Sequence, residues 1–195
     1  MKKIFVLLFT FSLLVKGDAL ITEGKSTYVT ESGRTISVDS AVFVSDKGKI
    51  QFVYNGKYNK RPQKLELSIK RMKFIADKAV KWEKVAEDNK VDEVNKRIDE
   101  KPFQMKMTQT SVDKNHYYDV TAIAQFYYHN QTAIAGFLVG EATSSNNRFI
   151  KSDAHVILMP MEMIKILSEK CDAKTLKKIL EESQEKTKKK KDLFN

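Results

Sequence analysis

The densest chemistry in the 195-residue chain is electrostatic. Ten cations lie between Lys57 and Lys84: Lys57, Lys60, Arg61, Lys64, Lys70, Arg71, Lys73, Lys78, Lys81 and Lys84. Only three acids, Glu66, Asp77 and Glu83, stand among them. Tyr54, Tyr58 and Trp82 lie within or beside the run, and an aromatic ring next to a cation can stack on a sugar ring or a base. The first seven cations, Lys57 to Lys73, form the candidate anion-binding set. Reversing Lys70, Arg71 and Lys73 together is expected to weaken a salt-sensitive association. The same charges also fit a solvated helix face laced by the near-neighbour pairs Lys73–Asp77, Asp77–Lys81 and Lys84–Asp88. Trp82 falls in an apolar stripe and reads as core. A second basic run, Lys188, Lys189, Lys190 and Lys191, either solubilises a tail or tethers it to an anionic surface. A tether of that kind is worth about 1 kcal/mol per lysine beside an anionic membrane.

Other reactive residue types are sparse. His116, His129 and His155 form no HExxH or HxxxH pattern, and Cys171 is the single cysteine, so neither a zinc motif nor an internal disulfide can be written. His116 and Asp119 are three apart on a strand pattern, which puts them on opposite faces. His155 sits in an apolar run, where a hydrogen-bonded structural histidine is expected. No serine lies in a GxSxG elbow. "GKST" at Gly24–Thr27 imitates the end of a phosphate loop, but the position five residues before Gly24 is Ala19 rather than glycine. No catalytic residue, metal or cofactor is expected from these patterns. A hydrolase acting on an envelope polymer, with histidines and acids converging only in the fold, remains the enzymatic alternative.

The N-terminus supplies an address. Lys2 and Lys3 precede an apolar stretch from Ile4 to Val15, and Lys16 and Asp18 end it. A membrane-spanning helix needs about 20 apolar residues, whereas a run of about 7–15 suits a signal peptide. Gly17 and Ala19 provide small residues for cleavage, so residues 1–19 read as a leader cut after Ala19, with a cut after Gly17 as the alternative. Losing Lys2, Lys3, Lys16 and Asp18 lowers the formal charge from +10 to +8. The expectation is an exported bacterial protein, periplasmic or secreted, with no transmembrane span after cleavage. Its partner would be another envelope protein, an anionic polymer or a membrane surface; nucleic acid is a less favoured partner.

These residues must be carried by a scaffold, and the hydrophobic periods predict one. Ile36, Val38, Val42 and Val44 alternate, "SDKGK" turns, and Ile50, Phe52 and Tyr54 alternate again, which is a hairpin. Leu65, Leu67 and Ile69 continue in period two. Met72, Ile75, Ala76, Ala79, Trp82, Val85 and Ala86 then recur at three and four, the mark of an amphipathic helix. Val91, Val94 and Ile98 continue a weaker stripe, so the helix runs on or breaks near "EDNK" and restarts, and Pro102 ends it. Alternation returns at Phe103–Met107 and Tyr118–Tyr128, His129 and Asn130 turn, Thr132–Val139 comes back, and Phe149–Met159 reads as a last strand. Pro160 opens a closing helix or helix pair. The predicted class is α+β: a mostly antiparallel sheet, made of an N-terminal hairpin and a three- to four-stranded C-terminal meander, packed on a long central helix and a C-terminal helix. Residues 20–184 would form one domain and 185–195 a disordered Lys-rich tail. Alanines and glycines on the meander (Ala122, Ala124, Ala133, Ala135, Gly136, Gly140) leave room for a close-packed helix. The alternative use of that room is a sheet–helix pocket for a small apolar ligand.

Overall fold

The computed structural model describes residues 18–55, 62–111 and 114–192. Strands β1 (Ala19–Thr30), β2 (Thr35–Val44), β3 (Lys49–Asn55) and β4 (Pro62–Ser68) lead into helix α1 (Ile69–Asp88). There follow β5 (Glu93–Arg97), β6 (Phe103–Thr110), β7 (Asn115–His129), β8 (Thr132–Val139), β9 (Ala142–Ser144), β10 (Asn147–Ser152) and β11 (His155–Pro160). Helices α2 (Met161–Lys170) and α3 (Ala173–Asp192) end the chain.

Eight of these strands close a ring. β1, β2, β3, β4, β6, β7, β8 and β11 each pair antiparallel with the next, and β11 pairs back onto β1 through Thr27↔Leu158 to Thr30↔His155. The result is an up-and-down antiparallel barrel, an architecture that leaves no open sheet edge. Helix α1 and strand β5 are inserted between β4 and β6, and the β9–β10 hairpin between β8 and β11. The long strand β7 serves several partners: β6 along 115–122, β8 along 122–129 and β5 along 125–129.

The open α+β sheet expected from the sequence is therefore corrected to a closed barrel with three helices. The strand that closes it, β1, carries no apolar alternation. Its core-facing residues are Thr22, Gly24, Ser26, Tyr28 and Thr30, because α2 packs directly on them: a Cβ at Gly24 would lie 3.0 Å from Met163 Sδ. Two smaller expectations change as well. Val91–Ile98 does not prolong the helix, since Lys90 turns to φ 50° and Glu93–Arg97 pairs with β7. The last strand divides into β10 and β11 at Asp153–Ala154.

Strand direction places the helices. β4 and β11 finish at the same end of the barrel, so α1 and α2 both begin there, and their apolar faces pack onto the barrel's inward-facing side chains. Met72, Ile75, Ala76, Ala79, Met163, Ile164 and Leu167 share one core with Phe52, Ala122, Ala124, Phe126, Ala133, Ala135 and Phe137. Trp82 meets Phe126 edge-on at 5.8 Å, and the alanines of β7 and β8 share the helices' core, whereas Gly136 lies against the backbone of β11 and Gly140 against the Thr121 carbonyl. Ser68 Oγ caps α1 by accepting the Arg71 N–H at 3.2 Å, and Asp172 Oδ1 caps α3 by accepting the Thr175 N–H at 2.9 Å. Helix α3 runs to Asp192, so the lysine run expected to be a disordered tail is helical from Lys186 onward.

Candidate functional site

Among the described residues, the predicted cations Lys64, Lys70, Arg71 and Lys73 stand in different settings. Lys57, Lys60 and Arg61 lie outside the described residues. Arg71 is used by the fold: its Nη1 donates to Asp99 Oδ1 at 2.7 Å and its guanidinium lies 4.5 Å from the Phe103 ring centroid. Lys73 is a clamp between helices, donating to Asp77 at 2.7 Å and to the Ser168 carbonyl of α2 at 2.9 Å. Lys78 donates to the Ile98 carbonyl at 3.0 Å. Lys70, by contrast, is exposed, Lys64 is half-buried on the outer wall of β4, and neither has an ion pair among the described residues. Of the near-neighbour pairs, Lys73–Asp77 forms, while Asp77 takes its further hydrogen bond from Ser168 Oγ rather than from Lys81. A solvent-open cleft of about 420 Å³ beside Arg71 also holds Lys49 and Lys106, but Glu66 and Asp119 share it and Lys106 is paired to Asp119 at 2.8 Å. That cleft is close to charge-balanced.

The Arg71 contact has a measurable consequence. Arg71→Ala would leave the Asp99 carboxylate, 7% exposed, with no partner for either oxygen. A loss of about 2–3 kcal/mol in urea unfolding is expected, against less than about 0.5 kcal/mol for Lys70→Ala.

The three histidines go to three places. His129 is exposed at the β7–β8 turn, where Asn130 and Gln131 take φ 47° and 63°. His116 and His155 are both buried and face inward, at the barrel end away from the helix starts. His155 Nδ1 lies 3.0 Å from the Asp153 carbonyl, which can only accept, so Nδ1 carries the proton and Nε2 accepts the Tyr54 hydroxyl at 2.7 Å. The Tyr28 ring stacks on His155 at 5.0 Å. Burial pushes the His155 pKa down, the Tyr54 hydroxyl well up and the Tyr28 hydroxyl up to about 12. The two side chains thus satisfy each other in the barrel interior, Tyr54 donating and His155 accepting. Because the native state disfavours protonated His155, unfolded chains bind the extra proton first. Stability is then full above the unfolded histidine value near about 6.5 and declines as pH falls below it. Tm is expected to drop between about pH 7.5 and pH 5.5, with a shallower slope in His155→Gln.

Beside this pair the register reveals something that residue types alone did not. Tyr54, Gln63, Gln109 and His116 are successive cross-strand partners on β3, β4, β6 and β7, each one residue inside its strand end and each on the inward face. Tyr118 O–H donates to Gln109 Oε1 at 3.2 Å. Gln63 and His116 are 6% and 4% exposed, yet Gln63 Oε1 and His116 Nδ1 have no hydrogen-bond partner among the described residues. The signal for this row was present in sequence: the inward series Gln63-Leu65-Leu67 and Met105-Met107-Gln109 both turn from apolar to polar at the same end.

Elsewhere the reactive types are quiet. Cys171 is buried at the end of α2, and desolvation raises its thiol to about 12, so it behaves as a small apolar residue. "GKST" lies mid-strand in β1. No group of three or more His, Cys, Asp or Glu among the described residues could hold a metal ion. No described helix is long and apolar enough to cross a membrane. In comparisons with known proteins the chain matches no family model, no curated protein and no solved structure.

Proposed function

We propose that the protein is an exported, non-enzymatic binding protein, periplasmic or secreted, that engages an anionic partner through exposed lysines. The observation carrying this reading is the last part of α3. Leu176, Ile179 and Leu180 anchor the helix to the core, but Gln184 to Lys189 are all exposed. Lys186, Lys188 and Lys189 there have no ion pair among the described residues. Cations near a helix C-terminus are favoured by the helix dipole, so a basic arm can stay helical while offering its charge outward. Lys70, Lys81 and Lys84, exposed along one side of α1, add to the same field. The cations Arg71 and Lys73 belong to the scaffold instead.

Export rests on the N-terminal pattern, which lies outside the described residues. Ala19 pairs with Val44 as the first residue of β1 and is buried; a cut after Gly17 leaves β1 whole, whereas a cut after Ala19 removes its first residue. As for the histidine-based hydrolase alternative, the His155 ring is held by Tyr54 and the Asp153 backbone carbonyl.

The reading is tested with vesicles rich in phosphatidylglycerol and vesicles of phosphatidylcholine alone. Sedimentation with the anionic vesicles is expected in about 50 mM salt and is lost by about 500 mM, with none on the neutral vesicles. Equal binding to both, or insensitivity to salt, would remove the electrostatic basis.

A further inference from the structure

We infer that the inward row Tyr54–Gln63–Gln109–His116 is a binding site for a small, flat, neutral molecule bearing an N–H or O–H donor. This site is separate from the lysine arm and does not depend on it. Eight-stranded barrels have an interior just wide enough to be filled by side chains or to hold one small ligand near a mouth. Here the two ends of the same barrel differ in chemistry. At the helix end the inward positions are mostly apolar, with Thr22, Gly24 and Ser40 the exceptions under Met163, and α1 and α2 cover them. At the other end, beside Val139 and Ile36, they include Tyr28, Tyr54, Gln63, Gln109, His116, Tyr118 and His155, polar residues in a setting that disfavours polar groups.

Most of these groups satisfy one another. Tyr54 serves His155, His155 serves Asp153, and Tyr118 serves Gln109. Gln63 Oε1 and His116 Nδ1 do not, although each side chain is more than nine-tenths buried. They flank Gln109, on β4 and β7, about 10 Å apart at the backbone by strand spacing, so a guest reaching both would lie across the Gln109 side chain. Gln63 Oε1 requires a donor. His116 Nδ1 can donate or accept according to tautomer. No Lys, Arg, Asp or Glu belongs to the row, so a charged guest would be desolvated without a counter-charge. A purely apolar ligand at the sheet–helix interface has no such case, because Trp82, Phe126 and the helix residues pack there.

Benzamide is the probe, since it is flat, neutral and carries both N–H donors and a carbonyl acceptor. Toluene shares its ring without the polar groups, and benzoate replaces the amide with a charge. Titrated into ¹⁵N-labelled mature protein, benzamide is expected to shift the side-chain amide resonances of Gln63 and Gln109 with a Kd of about 1 mM. Toluene and benzoate should bind at least about tenfold more weakly, and Gln63→Leu should weaken benzamide by a similar factor. Independently, Gln63→Leu and His116→Phe should each raise Tm by about 2–4 °C, because each removes an unpaired buried polar atom. Absence of any shift up to the solubility of benzamide overturns the assignment, as does toluene binding equally well. A lower Tm in either variant also overturns it, since the side chain would then be serving the fold.

Discussion

Gly136→Ala is expected to destabilise the protein by at least about 3 kcal/mol, lowering Tm by about 6 °C or more. An alanine Cβ at this position would collide with the Ile157 carbonyl oxygen and lie 2.8 Å from Leu158 Cα. Both obstacles are backbone of β11, so no side-chain rotation relieves them. The only response is to part β8 from β11, where Gly136 faces Leu158 in register. That pairing adjoins the β11–β1 seam, and parting it strains the closure of the ring. Gly140→Ala provides the comparison, because its Cβ would meet only the Thr121 carbonyl oxygen at 3.3 Å; a loss below about 1.5 kcal/mol is expected there. Urea unfolding followed by circular dichroism separates the two. Similar small losses in both variants would argue against the tight β8–β11 crossing.

Tyr54→Phe should cost about 2 kcal/mol, although it removes a single oxygen atom. The hydroxyl donates to His155 Nε2 at 2.7 Å, and His155 is 2% exposed, so its lone pair would lose its partner without gaining water. Replacing both polar partners removes the unpaired atom. The double variant Tyr54→Phe/His155→Phe is therefore expected to be less destabilised than the sum of the two single variants, with a coupling of about 1 kcal/mol or more. Additive losses would show that the hydrogen bond contributes little beyond the packing of the rings.

The parts of the fold legible in sequence were those whose inward face is continuously apolar. The β2–β3 hairpin, the α1 stripe and the run from Phe103 to Val139 announce themselves by period. β1 does not, because a helix residue, Met163, fills the space that a large inward side chain would otherwise occupy beside Gly24 and Ser40. Without β1 the closure was invisible, and an antiparallel meander reads equally well as an open sheet. β5 was hidden for another reason: Val94 is its only half-buried residue, so it has no face to pattern, and it pairs with the part of β7 that runs past β6. The basic segment was visible by composition, but composition cannot separate Arg71 and Lys73, which tie α1 to Asp99 and Ser168, from Lys70, which touches neither. Nor can it supply the strand register that brings Tyr54, Gln63, Gln109 and His116 into one row. The buried Tyr54–His155 bond spans 101 positions and carries no local signal.

The same division between structural and free cations decides how the anionic-partner reading is best tested. Reversing Lys70, Arg71 and Lys73 together would confound charge with stability, since two of the three hold the fold. Lys186→Glu/Lys188→Glu/Lys189→Glu changes charge on an exposed helical arm without touching the core. At about 1 kcal/mol per lysine, removal of three attractive charges predicts a fall of about 100-fold or more in affinity for phosphatidylglycerol vesicles at low salt. Tm should be unchanged to within about 1 °C. Unaltered vesicle binding by this folded triple variant would contradict the account.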